Sequence, residues 1–102
     1  MKYQNEKLPD GLMKVGNTDS MTETTVLKGI LQKHRTSKGK YALVVVEEGA
    51  LQFVYEDEEN NIFDADTSHH IVITLERFHH VILTGSVLFR VEFYEASSML
   101  KI

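Results

Sequence analysis

The feature that most constrains the fold of this chain is the way its apolar residues recur, in strict alternation or in short β-branched runs. Successive side chains of a strand point to opposite faces, whereas an amphipathic helix needs apolar residues at a 3.6-residue period, which no long segment holds. The pattern therefore predicts a mostly β protein. The predicted strands cover residues 22–26, 29–34, 41–47, 50–55, 71–75, 78–83 and 87–94.

The segments between these strands carry turn signals. Glu48 and Gly49 stand between two β-rich runs, and because glycine readily takes positive φ, they predict a tight hairpin. The acidic stretch 56–61 and the sequence Thr-Gly-Ser at 84–86 predict further turns, and residues 96–100 predict one helical turn. Strands at this spacing are typical of a sandwich or barrel. We expect a single domain over residues 1–102, with 1–19 as an N-terminal extension.

Composition excludes several classes of function. The net charge is −4, and the basic residues are scattered, so the chain offers no positive surface for a nucleic-acid backbone. Cysteine is absent, which excludes disulfides, thiolate metal sites and cysteine nucleophiles. No apolar run approaches the length of a membrane span, and the N-terminus does not read as a secretion signal. We therefore expect a cytoplasmic protein with no membrane partner.

Part of the chain resembles the cupin motifs. The first motif is matched at Gly29, His34 and Gly49, but Thr36 stands where that motif has a second histidine. The second motif is matched only at His79. The resemblance to cupins is therefore partial.

A narrower family fits better. Residues 29–41, 43–51, 78–81 and 89–94 together resemble the TehB/YeaR-like domain, and the resemblance covers roughly residues 24–95. It implies an all-β, cupin-like double-stranded β-helix, or jelly-roll barrel. It also implies a domain that is found alone or fused ahead of a methyltransferase in tellurite-resistance proteins.

The same resemblance implies a metal site inside the barrel. Its ligands would be His34, His79 and Glu92, all in predicted strands. Imidazole and carboxylate suit a divalent ion, with zinc as the first expectation and iron or nickel as alternatives. Such a set leaves coordination positions open for water, a small molecule or an anion.

Each candidate ligand also has a simpler interpretation. His79 and His80 must point to opposite faces of their strand, so only one of them can face the interior; the resemblance favours His79. His34 could be a surface residue at the end of its strand. Glu92 shares a strand face with Arg90, so it could form an ion pair there instead.

Three functions are consistent with the sequence. The first is a metal-binding domain that binds or transforms a small molecule, with a role in tellurite resistance or oxyanion stress implied by resemblance, and with Lys38 or Arg90 assisting through charge. The second is a metal-free small-molecule-binding module. The third is a structural or regulatory module that acts as a homodimer. Methyl transfer is not expected, because these residues contain no α/β domain with a glycine-rich turn for S-adenosylmethionine.

Overall fold

The computed structural model describes residues 2–25, 40–74 and 77–96. The helical content of this described part is a single 3₁₀ turn, Glu56–Glu58, and none of its residues belong to a helix able to cross a membrane. The all-β prediction is confirmed. The described strands, all paired antiparallel, are β1 Leu12–Asn17, β2 Met21–Thr22, β3 Lys40–Tyr55, β4 Phe63–Asp66, β5 Ile71–Ile73, β6 His79–Ile82 and β7 Val87–Ala96.

The long strand β3 links two groups of strands. Its first half pairs with β5 on one edge and β7 on the other, and β7 in turn pairs with β1 and β2. Its second half pairs with β4 on one edge and β6 on the other. The antiparallel register puts Val44 opposite Val91 and Phe53 opposite Val81.

A bulge in β3 turns both halves of the strand toward the same core. The register with β7 shifts between Val46 and Glu48, and Gly49 has a φ of 78°. The core residues of β3 are therefore even-numbered before the bulge and odd-numbered after it: Ala42, Val44, Val46, Leu51, Phe53 and Tyr55. A bulge inserts one extra residue and bends its strand, which accounts for this change of parity.

The predicted hairpin at Glu48 and Gly49 is wrong. Both residues still pair with β7, opposite Leu88 and Val87, so the chain continues as one strand instead of reversing. The glycine is needed for its positive φ and for space, because a Cβ at Gly49 would lie 2.2 Å from the carbonyl oxygen of Ser86. Glu48 and Gly49 do change the direction of the chain, but they form a bend within one strand.

The core takes side chains from both groups of strands. The largest fully buried side chains are Phe53, Phe89, Leu51, Ile71, His79 and Val44. Burying a side chain such as Phe53 or Phe89 contributes roughly 2–3 kcal/mol each. The two inward faces of β3 and the β7 residues Val87, Phe89 and Val91 thus form one hydrophobic core.

The sequence did not predict two of the strands, β1 and β4. β1 is exposed beyond Leu12, so it has no alternating apolar face that would indicate a strand. β4 reads Phe-Asp-Ala-Asp, and only Ala65 of it is fully buried. The predicted strand at 22–26 extends in β2 only as far as Thr22, because residues 23–25 form a turn closed by a bond from Thr25 N to the Thr22 carbonyl oxygen (3.2 Å).

The other predicted elements have mixed outcomes. The strands at 71–75, 78–83 and 87–94 correspond to β5, β6 and β7 with small changes of boundary, and the turns at 56–61 and 84–86 are confirmed. The predicted strand 29–34 and most of the predicted turn 96–100 lie outside the described residues. Among the described strands the sheet does not close, because its path runs from β1 through β7 and β3 to β4. The jelly-roll prediction is therefore not confirmed.

The first residues of the predicted N-terminal extension lie along the edges of β4 and β5. The amide nitrogen of Asp64 donates to the carbonyl oxygen of Lys2 (2.7 Å). The Gln4 side chain accepts from the Val72 amide (2.7 Å) and donates to the Val72 carbonyl oxygen (2.9 Å). The ring of Tyr3 stacks on His69 at 3.5 Å between centroids. This segment therefore satisfies backbone groups that the sheet edge would expose.

The bend can be tested by comparing two glycines with positive φ. Gly11 has a φ of 83° with open space at its Cβ position, whereas Gly49 combines positive φ with the close Ser86 carbonyl. We expect Gly11→Ala to lower the free energy of unfolding by about 1 kcal/mol, the cost of backbone strain alone. Gly49→Ala should cost about 3 kcal/mol or more, because steric overlap is added. Urea denaturation of both variants measures the difference; equal losses would contradict the role given to Gly49.

Candidate functional site

His79 faces the interior. It lies at the start of β6 opposite Tyr55 of β3, its side chain is on the same face as Val81, and the residue is 1% exposed. Its ring centroid is 5.6 Å from that of Phe53 and 6.4 Å from that of Tyr55. The structure therefore turns His79 toward the core. Its role as a metal ligand stays a prediction.

The neighbouring histidine points the other way. His80 is half-buried on the opposite face of β6, and its Nδ1 contacts the Glu56 carboxylate. The alternation of strand side chains allows only one of the two imidazoles to reach the core. His80 is therefore a natural control for any experiment on His79.

The hydrogen bond of the His79 ring defines its tautomer. Nδ1 lies 3.0 Å from the backbone carbonyl oxygen of Arg77. A carbonyl can only accept, so the neutral ring carries its proton on Nδ1 and its lone pair on Nε2. Histidines that bind metals commonly show this arrangement, because the second bond fixes the ring and its tautomer. No pattern in the sequence indicated this hydrogen bond.

Tyr55 and Arg77 lie next to His79, at the end of the sheet where β6 begins. The Tyr55 hydroxyl accepts from the Thr74 amide (2.9 Å), and the guanidinium carbon of Arg77 lies 3.6 Å from the centre of the Tyr55 ring. Burial raises the pKa of Tyr55, so its phenol stays neutral and keeps its hydrogen bonds at physiological pH.

Arg77 is also bound by the acidic turn after β3. Its Nε and Nη2 donate to the two carboxylate oxygens of Asp57 (3.2 and 2.6 Å), and Nη2 also donates to Glu58 (2.6 Å). The hydrogen bond from Arg77 lowers the pKa of Asp57. These partners went unnoticed in the sequence, because only the register between β3 and β6 brings the acidic turn beside Arg77.

Glu92 lies on the outer face of β7. Its neighbour Val91 belongs to the core, so Glu92 points away from it, and its carboxylate is fully engaged on that side. Oε2 accepts from Nε and Nη2 of Arg90 (3.1 and 2.8 Å) and from Nζ of Lys14 (3.4 Å), and Oε1 accepts from the Tyr94 hydroxyl (2.6 Å). The Tyr94 hydrogen bond is the largest cause that lowers the pKa of Glu92, followed by Arg90 and Lys14.

The structure does not bring the predicted ligands together within its described part. His79 lies on the inner face of β6 and Glu92 on the outer face of β7, while His34 and Lys38 lie outside the described residues. Across residues 2–25, 40–74 and 77–96, no group of three or more histidine and carboxylate side chains is arranged to hold a metal ion. Arg90, expected to assist through charge, is paired with Glu47 (2.7 Å) and Glu92.

Comparisons with known proteins agree with the fold. A family model described as the TehB-like domain matches residues 16–91. A crystal structure of a protein from E. coli (strain K12) superposes with a TM-score of 0.81 at 18% identity, covering 89% of this chain and 97% of that one. TehB from Haemophilus influenzae superposes with a TM-score of 0.78 at 18% identity, covering 85% of this chain and 32% of that one. No curated protein matched the sequence.

The outer-face network around Glu92 should show a defined pH dependence. A carboxylate whose pKa is lowered on folding stabilises the protein above its unfolded pKa, near 4.5, and loses that contribution as the pH falls through the folded value. We expect Glu92→Gln to cost about 1–2 kcal/mol at pH 7, because charge-assisted hydrogen bonds are lost, and much less at pH 3. Urea denaturation at both pH values measures this.

The matched control is Glu95→Gln, which removes an ion pair with the exposed Lys40 (3.3 Å). Because the lysine of this pair is half exposed to solvent, the pair contributes little, and the variant should change stability by less than about 0.5 kcal/mol at either pH. A Glu92→Gln cost that is the same at both pH values would contradict the assigned network.

Proposed function

The chain belongs to the TehB-like domain family, and from this premise we propose that it is a metal-binding domain in which His79 supplies an imidazole ligand through Nε2. The family resemblance drawn from the sequence is confirmed by the match over residues 16–91. The observation that carries the proposal is the bond from His79 Nδ1 to the Arg77 carbonyl, which directs the lone pair of a buried ring to Nε2.

The rest of the ligand set follows from the resemblance. We keep His34 as the second imidazole and a divalent ion as the metal, with zinc first and iron or nickel as alternatives. We do not use Glu92, because its carboxylate would have to leave Lys14, Arg90 and Tyr94 and pass to the opposite face of β7. Two imidazoles leave several coordination positions for water or for a small ligand.

The bound ion would supply a Lewis acid that holds a small molecule or an anion. The chain's own residues support this in two ways. Phe53 and Tyr55 exclude water from the ring of His79, and the Arg77 carbonyl fixes the direction of that ring. A low-polarity surrounding strengthens the interaction between a cation and an anionic ligand.

The wider role also follows from the family. We propose that the protein acts in the cytoplasm, in resistance to tellurite or in the response to related oxyanions. The chain spans 32% of the length of TehB from Haemophilus influenzae, and the proposal concerns only the part that the two share.

A metal-free small-molecule module is the second candidate. It is favoured by the apolar character of the His79 surroundings, since Phe53, Tyr55 and Val81 line the same interior face. In that case, the ring would recognise a ligand by accepting a hydrogen bond at Nε2. The two candidates differ in whether an ion is present.

Metal analysis of protein purified without an affinity tag tests the proposal. We expect about one ion per chain in the wild type and in His80→Gln and Glu92→Gln, and negligible ion in His79→Gln. His80→Gln is the matched control, because it changes the adjacent residue on the opposite face of β6. Circular dichroism and thermal unfolding would show that each variant is folded.

Two results would contradict the proposal. An ion content near zero in the folded wild type after incubation with zinc, iron and nickel would favour the metal-free candidate. Loss of the ion in Glu92→Gln with retention in folded His79→Gln would place the site on the outer face of β7.

A further inference from the structure

We propose that Arg77 is a positioning residue, whose clamped side chain holds its own backbone carbonyl where it fixes the tautomer of His79. The consequence for metal binding rests on the function proposed above, whereas the tautomer itself does not.

The Arg77 side chain is held on its edge and on its face. Its edge forms two bonds to Asp57 and one to Glu58, and its face lies over the ring of Tyr55. The two carboxylates are 62% and 53% exposed, so each bond alone would contribute little. A planar guanidinium bound in this way is nevertheless restricted in orientation. The hydrogen bonds along its edge and the contact of its face with the Tyr55 ring limit its movement in different directions.

The described residues before and after Arg77, Thr74 and Phe78, are each held by a hydrogen bond to β3 or to the turn that follows it. Before it, the Thr74 amide donates to the Tyr55 hydroxyl (2.9 Å). After it, the Phe78 carbonyl accepts from the Glu56 amide (2.8 Å), which continues the pairing of β3 with β6. The peptide between Arg77 and Phe78 therefore has its far end held by the sheet and its near end held by the clamp.

The carbonyl of that peptide is the acceptor for His79 Nδ1 at 3.0 Å. Release of the clamp removes the contacts that hold the Arg77 side chain, and we expect the Arg77 carbonyl then to move away from Nδ1 while the bond between Glu56 and Phe78 remains. The Nδ1 proton then loses this acceptor, and a larger share of the neutral ring can place its proton on Nε2 instead. The acidic turn Glu56–Glu58 thus controls which nitrogen of a buried ring carries the lone pair.

Nitrogen NMR of ¹⁵N-histidine-labelled, metal-free protein at about pH 8 reads the tautomer directly, because free imidazole is neutral there. The His79 signals are assigned by their absence from His79→Gln. We expect the wild type to show the Nδ1–H form. Arg77→Ala and Asp57→Ala should both shift the population toward Nε2–H, whereas Asp57→Glu, which keeps a carboxylate, should retain the wild-type form.

Lys40→Ala is the matched control, because it breaks a surface ion pair with Glu95 far along β3 from the acidic turn. It should leave the His79 tautomer unchanged. Asp57→Ala alters an exposed side chain, so it keeps the test available if Arg77→Ala fails to fold. An unchanged Nδ1–H form in every folded clamp variant would overturn the inference, as would an equal shift in Lys40→Ala.

Zinc titration of the same proteins separates this inference from the proposed function. Loss of the bond that orients a ligating imidazole should weaken zinc binding by about 10-fold or more in Asp57→Ala and leave Lys40→Ala unaffected. A tautomer shift in a wild type that binds no zinc would reject the metal site and keep the positioning role. Zinc binding by the wild type with no tautomer shift in the variants would keep the metal site and reject the positioning role of Arg77.

Discussion

The rest of the structure depends on the bend in β3. The bulge near Glu47 and the positive φ of Gly49 add one residue to the alternation, so both halves of the strand bury their apolar faces in the same core. The strands paired with β3 take the same orientation, because residues that lie directly opposite each other on two paired strands are on the same face of the sheet. His79 faces inward because it pairs with Tyr55, and Glu92 faces outward because it pairs with Leu43. One local irregularity therefore decides the face of both candidate residues.

Strands with a clear apolar pattern could be predicted from the sequence, and those without one could not. β7 buries Val87, Phe89 and Val91 on one side, which gives the alternation that reveals a strand. β1 has no buried face, and β4 is half aspartate, so neither has such a pattern. The Glu-Gly pair after residue 47 is equally compatible with a hairpin and a bulge, and only the pairing of Gly49 with Val87 decides between them.

The candidate site could be predicted only in part, for a similar reason. Alternation requires His79 and His80 to face opposite ways, and His79 is the one that points inward. The family resemblance favoured His79 as the ligand, which stays a prediction. The sequence offered an ion pair with Arg90 as one interpretation of Glu92, and the structure shows that pair. It could not reveal the link from Asp57 through Arg77 to His79, because that link depends on a contact between distant turns.

The central claim is that the buried imidazole of His79, with its lone pair on Nε2, is the group around which a ligand site forms. Anomalous diffraction from crystals of the untagged, metal-loaded protein tests it most directly. We expect an anomalous peak about 2.0–2.1 Å from Nε2 of His79, on the interior side of β6. A peak beside Glu92 on the outer face of β7, or a metal-loaded crystal with no peak near His79, would contradict it.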